Sequence, residues 1–186
     1  MNVFYLDKNP RTRAEYHCDS HLRKMLVEYA QIMSVAHWTS KEEDDIERAI
    51  ENKLYKPTHI NHPSMVWTRS NVHSYSYVFC MWEELLLIYV DRYGKEHGSG
   101  RLREGLIHLP KCLITKQVST KYRLSKDMPP PPMCFGRDFE HIKKGFKPNN
   151  HDDVVNAYRE YYRQAKKKFA TWGKGRSMPR WWLRVA

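Results

Sequence analysis

Four polar residues near the N-terminus follow helical spacing and combine groups that can do chemistry. On one continuous helix, positions i, i+4, i+7 and i+11 share a face, and here they hold His17, His21, Lys24 and Glu28. The residues between them predict that the other side of this helix packs on a core; they are Ala14, Leu22, Met25, Leu26, Tyr29, Ile32 and Met33. A carboxylate, an amine and two imidazoles beside a core indicate a reaction or recognition surface.

A second pair of histidines, His59 and His62, follows in a proline-rich stretch. Together with His17 and His21 this pair has the ligand types for a divalent metal, but the glutamate of an H-E-x-x-H motif is absent. Two other uses stay open. The imidazoles hydrogen-bond phosphate or a base edge, or they are buried and tie the loop at 59–63 onto the first helix. We predict no metal and no cofactor.

The charge of the chain points to a polyanionic partner. The formal net charge is +11 and the isoelectric point is about 9.5. From residue 159 onward basic and aromatic residues interleave, a composition suited to phosphate neutralisation and base stacking, although some of these aromatics are expected in the core. The candidate nucleic-acid-binding residues are His17, His59, His62, Arg69, Tyr158, Tyr162, Arg163, Lys166, Lys167, Lys168, Trp172, Lys174, Arg176 and Trp181. Trp181 or Trp182 is the candidate wedge that opens a base stack.

The hydrophobic periodicity predicts a mostly α, single-domain helical bundle over 1–186, with 41% hydrophobic residues to build its core. The predicted elements are a packed arm at 2–6, a helix over 12–36, a helix begun by Thr39 or a Ser40–Glu43 capping box, a loop at 55–64, a central helix over 70–93 stopped by Gly94, a short helix capped by Ser99, and a final helix over 153–172 begun by Asn150 or Asp152.

Residues 111–150 look irregular, with a run of prolines at 129–132, and a basic tail follows at 173–186. A segment this long is either a functional, mobile loop or a polyproline strap packed on the surface. The four cysteines form no C-x-x-C pair, which predicts reduced thiols. Neither a signal peptide nor a run long enough to span a bilayer is evident, so we expect a cytoplasmic protein without a membrane partner.

Short motifs resemble a known family. Asp19-Ser20-His21-Leu22 followed by Glu28 resembles the first helix of phage pyrimidine-dimer DNA glycosylases of the endonuclease V type, and Asn61-His62-Pro63 is similar to a motif of broader members of that group. The end of the chain around Trp172 is also similar. Most of the chain resembles phage proteins with a short hydrophobic arm, a Tyr-His-Cys-Asp-x-His segment and an Asn-His-Pro-Ser loop.

This resemblance implies a DNA glycosylase, with or without strand-nicking lyase activity, in which Glu28 is the catalytic acid. Two features depart from the family: Asn2 is expected to hinder removal of Met1, and Val27 stands where the family has an arginine. The amine that displaces the base would come from Met1 or Lys24, and an α-amine is neutral more often than a lysine. The predicted catalytic set is Glu28, Met1, Lys24 and His21.

The predicted partner is duplex DNA, bent or with a nucleotide flipped out of the stack. Two other functions stay open on the same surface. One is a transferase that modifies a flipped base, and the other is a non-catalytic protein that binds DNA or a host partner. An ion pair between Lys24 and Glu28 is the structural interpretation that competes with a catalytic role for both residues.

Overall fold

The computed structural model describes residues 1–113, 128–173 and 175–183, and the regular structure within these ranges is entirely helical. The predicted mostly α fold is confirmed. The α-helices are α1 (Pro10–Tyr16), α2 (Asp19–Trp38), α3 (Glu43–Glu51), α4 (Pro63–Ser70), α5 (Val72–Tyr93), α6 (Arg103–Leu106) and α7 (His151–Lys166). Short 3₁₀ helices cover Gly98–Leu102, Lys111–Leu113, Arg137–Gly145 and Arg180–Trp182.

The two longest helices, α2 and α5, pack on each other and form the centre of the core. Trp82 of α5 is fully buried there, and its indole N–H donates to the Leu26 carbonyl of α2 at 2.9 Å. Helix α5 ends where predicted, because Gly94 adopts the left-handed conformation (φ 64°) that closes a helix at low cost.

The prediction of a single helix over 12–36 is wrong. The helix is interrupted at His17 and Cys18, whose backbones are both extended. Partners distant in sequence satisfy the backbone at this break. The Cys18 N–H donates to the Tyr162 hydroxyl at 3.0 Å, and the Asp19 N–H donates to the Thr171 carbonyl at 2.8 Å. His17 therefore lies outside α2, and the other three residues of the predicted polar face, His21, Lys24 and Glu28, lie on it.

Other helices also differ from the prediction; the short helix predicted to be capped by Ser99 is the 3₁₀ helix Gly98–Leu102, which is capped by His97. Helix α3 begins at Glu43 rather than at Thr39 or Ser40, because Ser40 accepts from the Glu42 N–H and donates to Asp45 at 2.6 Å instead of forming a box with Glu43. Helix α4 falls partly within the predicted loop and was missed. The final helix is capped by Asn150 as predicted, but it ends at Lys166, not at residue 172.

The N-terminal arm and the proline-rich segment run side by side over the helices. Residues 2–6 are buried without regular structure, as predicted. Within the segment predicted to be irregular, 111–150, residues 128–136 form a packed strap: the Pro129 carbonyl accepts from the Trp67 indole at 2.9 Å, and the Met128 carbonyl accepts from His151 at 2.9 Å. Short 3₁₀ helices cover Lys111–Leu113 and Arg137–Gly145 of that segment, and residues 114–127 lie outside the described ranges.

A buried ion pair holds the C-terminal segment on the bundle. Arg92 of α5 lies 2.5 Å from Asp19 at the start of α2 and donates to the Gly173 carbonyl at 2.7 Å. The second carboxylate oxygen of Asp19 accepts from the Thr171 hydroxyl and the Gly173 N–H, both at 3.0 Å. Across the described ranges, none of the helices combines the length and apolar character needed to cross a bilayer.

Candidate functional site

A cavity of about 680 Å³ opens where the N-terminal arm, α2, the strap and α7 meet. The N-terminus of α4 and the 3₁₀ helix Arg137–Gly145 complete its wall. Its lining residues are Met1, Asn2, Phe4, His21, Lys24, Met25, Glu28, His62, Pro63, Pro132, Met133, Cys134, Phe135, Gly136, Glu140, Lys143, Tyr161 and Lys166. A volume of this size is typical of sites for small ligands or single nucleotides.

The carboxylate of the cavity comes from α2. Glu28 is mostly enclosed, with 16% of its side chain exposed, and it lies 3.3 Å from Nζ of Lys24 one turn earlier. Lys24 is 70% exposed and reaches the carboxylate from the solvent side. The ion pair thus exists as the structural interpretation requires, but it stands at the wall of the cavity rather than away from it.

The α-amine of Met1 enters the same cavity because the next residue is anchored. The Asn2 side chain is buried, and its amide donates to the Cys134 carbonyl of the strap at 2.5 Å. The Tyr158 hydroxyl lies 2.8 Å from Oδ1 of the Asn2 side chain and 2.6 Å from the Pro132 backbone carbonyl. The Asn2 side chain is thus used in the fold, where its amide hydrogen-bonds Cys134 and Tyr158. These bonds leave Met1 facing the cavity.

The protonation of His21 follows from its hydrogen bonds. The Tyr162 hydroxyl accepts from the Cys18 N–H at 3.0 Å, and its other hydrogen-bond partner among the described residues is Nδ1 of His21 at 2.9 Å, so the hydroxyl proton has an acceptor only at Nδ1. Burial, helped by the charges of Lys166 and Lys24, lowers the pKa of His21 to about 3. His21 is consequently neutral at pH 7 and carries its hydrogen on Nε2, as a donor.

His62 has the same arrangement at the N-terminus of α4. Its Nδ1 accepts from the Ser64 N–H at 3.2 Å and so caps that helix. Burial and then the positive charge of the N-terminal amine lower the pKa of His62. The neutral ring therefore also carries its hydrogen on Nε2, and the two imidazoles of the cavity are both donors.

An aromatic wall faces these polar groups. Phe135 of the strap stacks on Tyr161 of α7 with 4.5 Å between ring centroids, and the Phe4 ring lies 4.5 Å from the His21 ring at an angle of 35°. The Lys166 ammonium nitrogen lies 5.3 Å from the Tyr161 centroid and 5.6 Å from that of Phe4. Burial, followed by the charge of Lys24, lowers the pKa of Lys166.

The charges that line the cavity favour an anionic ligand. Four cationic groups, from Met1 and three lysines, face two carboxylates. One of the lysines, Lys143, is engaged with Glu140 on the 3₁₀ helix at 2.8 Å. The excess positive charge thus lies on the side of Met1, Lys24 and Lys166, next to Glu28.

Six of the predicted site residues meet at this cavity. They are Met1, His21, Lys24, Glu28, His62 and Lys166. Lys167 and Lys168 follow directly after α7 and are exposed. His59 and Arg69 lie outside the cavity lining. His59 is exposed with a left-handed backbone (φ 49°), and Arg69 donates to the Ile60 carbonyl at 2.5 Å.

Direct contact of His17, Tyr158 and Tyr162 with nucleic acid was a wrong prediction, because all three are fully buried. Nδ1 of His17 donates to the Arg13 carbonyl at 2.7 Å, and its Nε2 accepts from the Tyr29 hydroxyl at 2.8 Å. These side chains belong to the core beneath the site. His17 is thus a buried, hydrogen-bonded histidine, but its partners lie on α1 and α2 and not in the loop at 59–63.

The aromatic and basic C-terminal residues are largely occupied within the fold. Arg163 donates to the Trp181 carbonyl at 2.9 Å, and Arg176 donates to the carbonyls of Glu15 and His17. The Trp172 indole donates to the Tyr16 carbonyl. Trp181 is only 7% exposed, so it is not a free wedge. Lys174 lies outside the described residues.

Several lining residues escaped prediction. Phe135, Cys134 and Gly136 belong to the strap, and an extended segment has no periodicity that reveals which side chains face inward. Tyr161 was assigned only to the aromatic C-terminal group. The proline-rich composition was the one available signal that this segment packs across the helices.

Within the three described ranges, no group of three histidine, cysteine or acidic side chains is placed to share a metal ion. Comparison of the whole chain with family models, curated proteins and solved structures gives no match.

Proposed function

We propose that this protein is a DNA glycosylase that uses an amine of the cavity to displace a damaged or modified base. The observation that carries the proposal is the meeting of the Met1 α-amine, Glu28 and Lys24 at one open, positively charged cavity. The resemblance of the first-helix motif to pyrimidine-dimer glycosylases gives the same role to Glu28.

The chemistry needs an amine that is neutral and a carboxylate that stays close to it. The amine nitrogen attacks C1′ of the sugar, the glycosidic bond breaks, and its electron pair leaves with the base, which gains a proton. Glu28 stabilises the positive charge that develops on the sugar and accepts a proton from the attacking amine. Lys24 neutralises Glu28 in the resting protein and holds it at the wall.

A nucleotide must leave the duplex to reach this space. The stacked rings of Phe135 and Tyr161 offer an aromatic surface to an extruded base, while the neutral Nε2–H groups of His21 and His62 donate to oxygen atoms of the base, sugar or phosphate. The exposed Lys167 and Lys168 at the end of α7 provide phosphate contacts beside the opening.

The decisive experiment incubates the protein with duplexes that each carry one lesion or modified base, in the presence of borohydride. Borohydride reduces an imine between protein and sugar to a stable adduct, so one assay reports both the amine chemistry and the substrate. We expect an adduct with at least one duplex. The absence of adduct and of base release from every duplex would contradict the proposal.

A pair of variants separates the role of Glu28 from general cavity charge. Glu28→Gln is expected to lower base release by at least 100-fold with DNA affinity changed less than threefold. Glu140→Gln removes the other carboxylate of the lining, which is paired with Lys143, and is expected to retain release. Equal activity of the two variants would refute the assignment of Glu28.

A further inference from the structure

We propose that Lys166 is a second amine nucleophile of the cavity, able to form an imine with the C1′ aldehyde of an abasic site. This inference rests on the proposed function, because it needs the sugar of a damaged strand to enter the same space. Lys166 was predicted from the sequence only as a phosphate contact.

The position of Lys166 is that of a held, partly enclosed amine rather than a solvated lysine. It is the last residue of α7, and its Nζ lies between three aromatic rings, at 5.3 Å from Tyr161, 5.6 Å from Phe4 and 5.8 Å from Phe169. The ion pairs of the described residues do not include it. Its amine therefore faces the cavity without a carboxylate bound to it.

The surroundings of Lys166 favour the neutral amine. Loss of water around Nζ and the nearby charge of Lys24 both disfavour a second ammonium, which is how nucleophilic lysines are activated in other proteins. The ring faces attract the charged form and so hold the side chain in place, but each such contact is weak, about 0.5–1 kcal/mol at partly exposed sites.

Lys24 lacks these features although it was predicted as a candidate amine. Its side chain is 70% exposed, and its charge is stabilised by Glu28 at 3.3 Å. Lys24 thus orients Glu28 through this contact, and its charge acts on Lys166.

The step that we propose balances without a further reactant. The Nζ lone pair attacks the carbonyl carbon of the ring-opened sugar, and the resulting carbinolamine loses its oxygen as water together with both hydrogens of the amine. A carbon–nitrogen double bond remains. Borohydride added in the assay supplies the hydride that reduces this imine to a secondary amine.

The test uses the full-length chain with its α-amine acetylated, so that Met1 cannot react. The protein is incubated with a duplex that carries one abasic site, borohydride is added, and the cross-linked peptide is identified by mass spectrometry. We expect the adduct on Lys166. An adduct confined to any other residue of the acetylated protein would overturn the inference, and this result does not depend on any variant being folded.

Two substitutions sharpen the test. Lys166→Arg keeps a positive charge between the rings but cannot form an imine, and in the acetylated protein it is expected to lower adduct yield at least tenfold, with duplex affinity unchanged within threefold. Lys41→Arg, the same change at an exposed position outside the cavity lining, is expected to leave the yield within twofold. Equal yields from both variants would refute the role of Lys166.

The unmodified protein distinguishes this inference from the proposed function. An adduct that maps to Met1 alone, and disappears on acetylation, would refute the role of Lys166 while supporting amine chemistry in the cavity. Lack of any adduct in the unmodified protein would count against both.

Discussion

His21 and Tyr162 are joined by a hydrogen bond of 2.9 Å whose direction is set by a third residue, Cys18. The Cys18 N–H can only donate to the oxygen of Tyr162, so among the described partners of that hydroxyl Nδ1 of His21 is the one that can accept its proton. Because the helix is interrupted at His17 and Cys18, the Cys18 N–H is available to Tyr162, and this contact orients the His21 imidazole in the cavity. Helix geometry and site chemistry are coupled at this point.

The first prediction concerns stability at acidic pH. Burial lowers the pKa of His21 to about 3 and that of His37 to about 4, and it holds the pKa of His17 well below 6.5. Below pH 6.5 these histidines bind protons in the unfolded chain but stay neutral in the folded chain. The free energy of unfolding therefore falls with pH by up to about 1.4 kcal/mol per pH unit for each histidine.

Urea unfolding at pH 7, 6 and 5 checks this expectation. His37→Gln is expected to make the pH dependence shallower by about one proton, whereas His141→Gln, at an exposed position, is expected to leave it unchanged. A free energy of unfolding that is the same at pH 7 and pH 5 would show that the buried imidazoles become protonated in the folded state. Below about pH 4, loss of the Asp19 and Glu160 charges adds to the fall, since both carboxyls have lowered pKa values.

Local signals explain which elements could be predicted. The apolar spacing of α5 and its stop at Gly94, and the cap of α7 at Asn150, depend on residues within a few positions of each other. The break before α2 could not be predicted, because the Thr171 carbonyl and the Tyr162 hydroxyl that satisfy its first N–H groups are more than 140 residues away in the chain.

The residues of the candidate site could likewise be predicted only where a local sequence pattern indicates them. The helical spacing on α2 predicts that His21 and Glu28 share a face, and both line the cavity. Pro63, directly after His62, is typical of the first turn of a helix, and α4 begins there. The aromatic wall depends on how the strap crosses α7, which is a tertiary contact between Phe135 and Tyr161 with no counterpart in local sequence.

The second prediction concerns Arg13, whose guanidinium is fully buried in α1. Its carbon lies 4.3 Å from the ring centroid of Tyr77, but among the described residues its nitrogens have no hydrogen-bond partner of acceptable geometry. A buried charge without such partners is costly. Arg13→Met, which keeps the volume, is expected to raise the free energy of unfolding by about 1–3 kcal/mol.

Urea unfolding of Arg13→Met and Arg13→Ala distinguishes charge from packing. The alanine variant leaves a void between the rings and is expected to be less stable than the methionine variant by about 2 kcal/mol or more. If the methionine variant is less stable than the wild type, the contact with Tyr77 contributes more than the burial of the charge costs.

The third prediction concerns the ion pair that holds the C-terminal segment. Asp19→Ala leaves Arg92 buried and unpaired, since only 3% of the Arg92 side chain is exposed, and removes the acceptor of Thr171 and Gly173. We expect a loss of about 3–5 kcal/mol and faster hydrogen exchange in residues 175–183.

Asp44→Ala is the matched control, because Asp44 pairs with Lys111 at the surface and such pairs contribute about 0–1 kcal/mol. Hydrogen exchange followed by mass spectrometry measures both variants. Equal protection of 175–183 in the wild type and in Asp19→Ala would mean that the aromatic contacts of Trp172 and Trp181 hold the segment without the ion pair.

The fourth prediction concerns DNA affinity and the two exposed lysines after α7. Replacing Lys167 and Lys168 together by alanine removes two exposed cations that directly follow the lining residue Lys166 and leaves the lining itself unchanged. Because each phosphate contact releases counterions, the slope of log affinity against log salt concentration is expected to become shallower by about two. Fluorescence anisotropy with one duplex between 50 and 200 mM salt measures it. A double variant of Lys41 and Lys56, also exposed but elsewhere on the fold, is expected to keep the wild-type slope; the same slope for both double variants would exclude the end of α7 from the DNA contact.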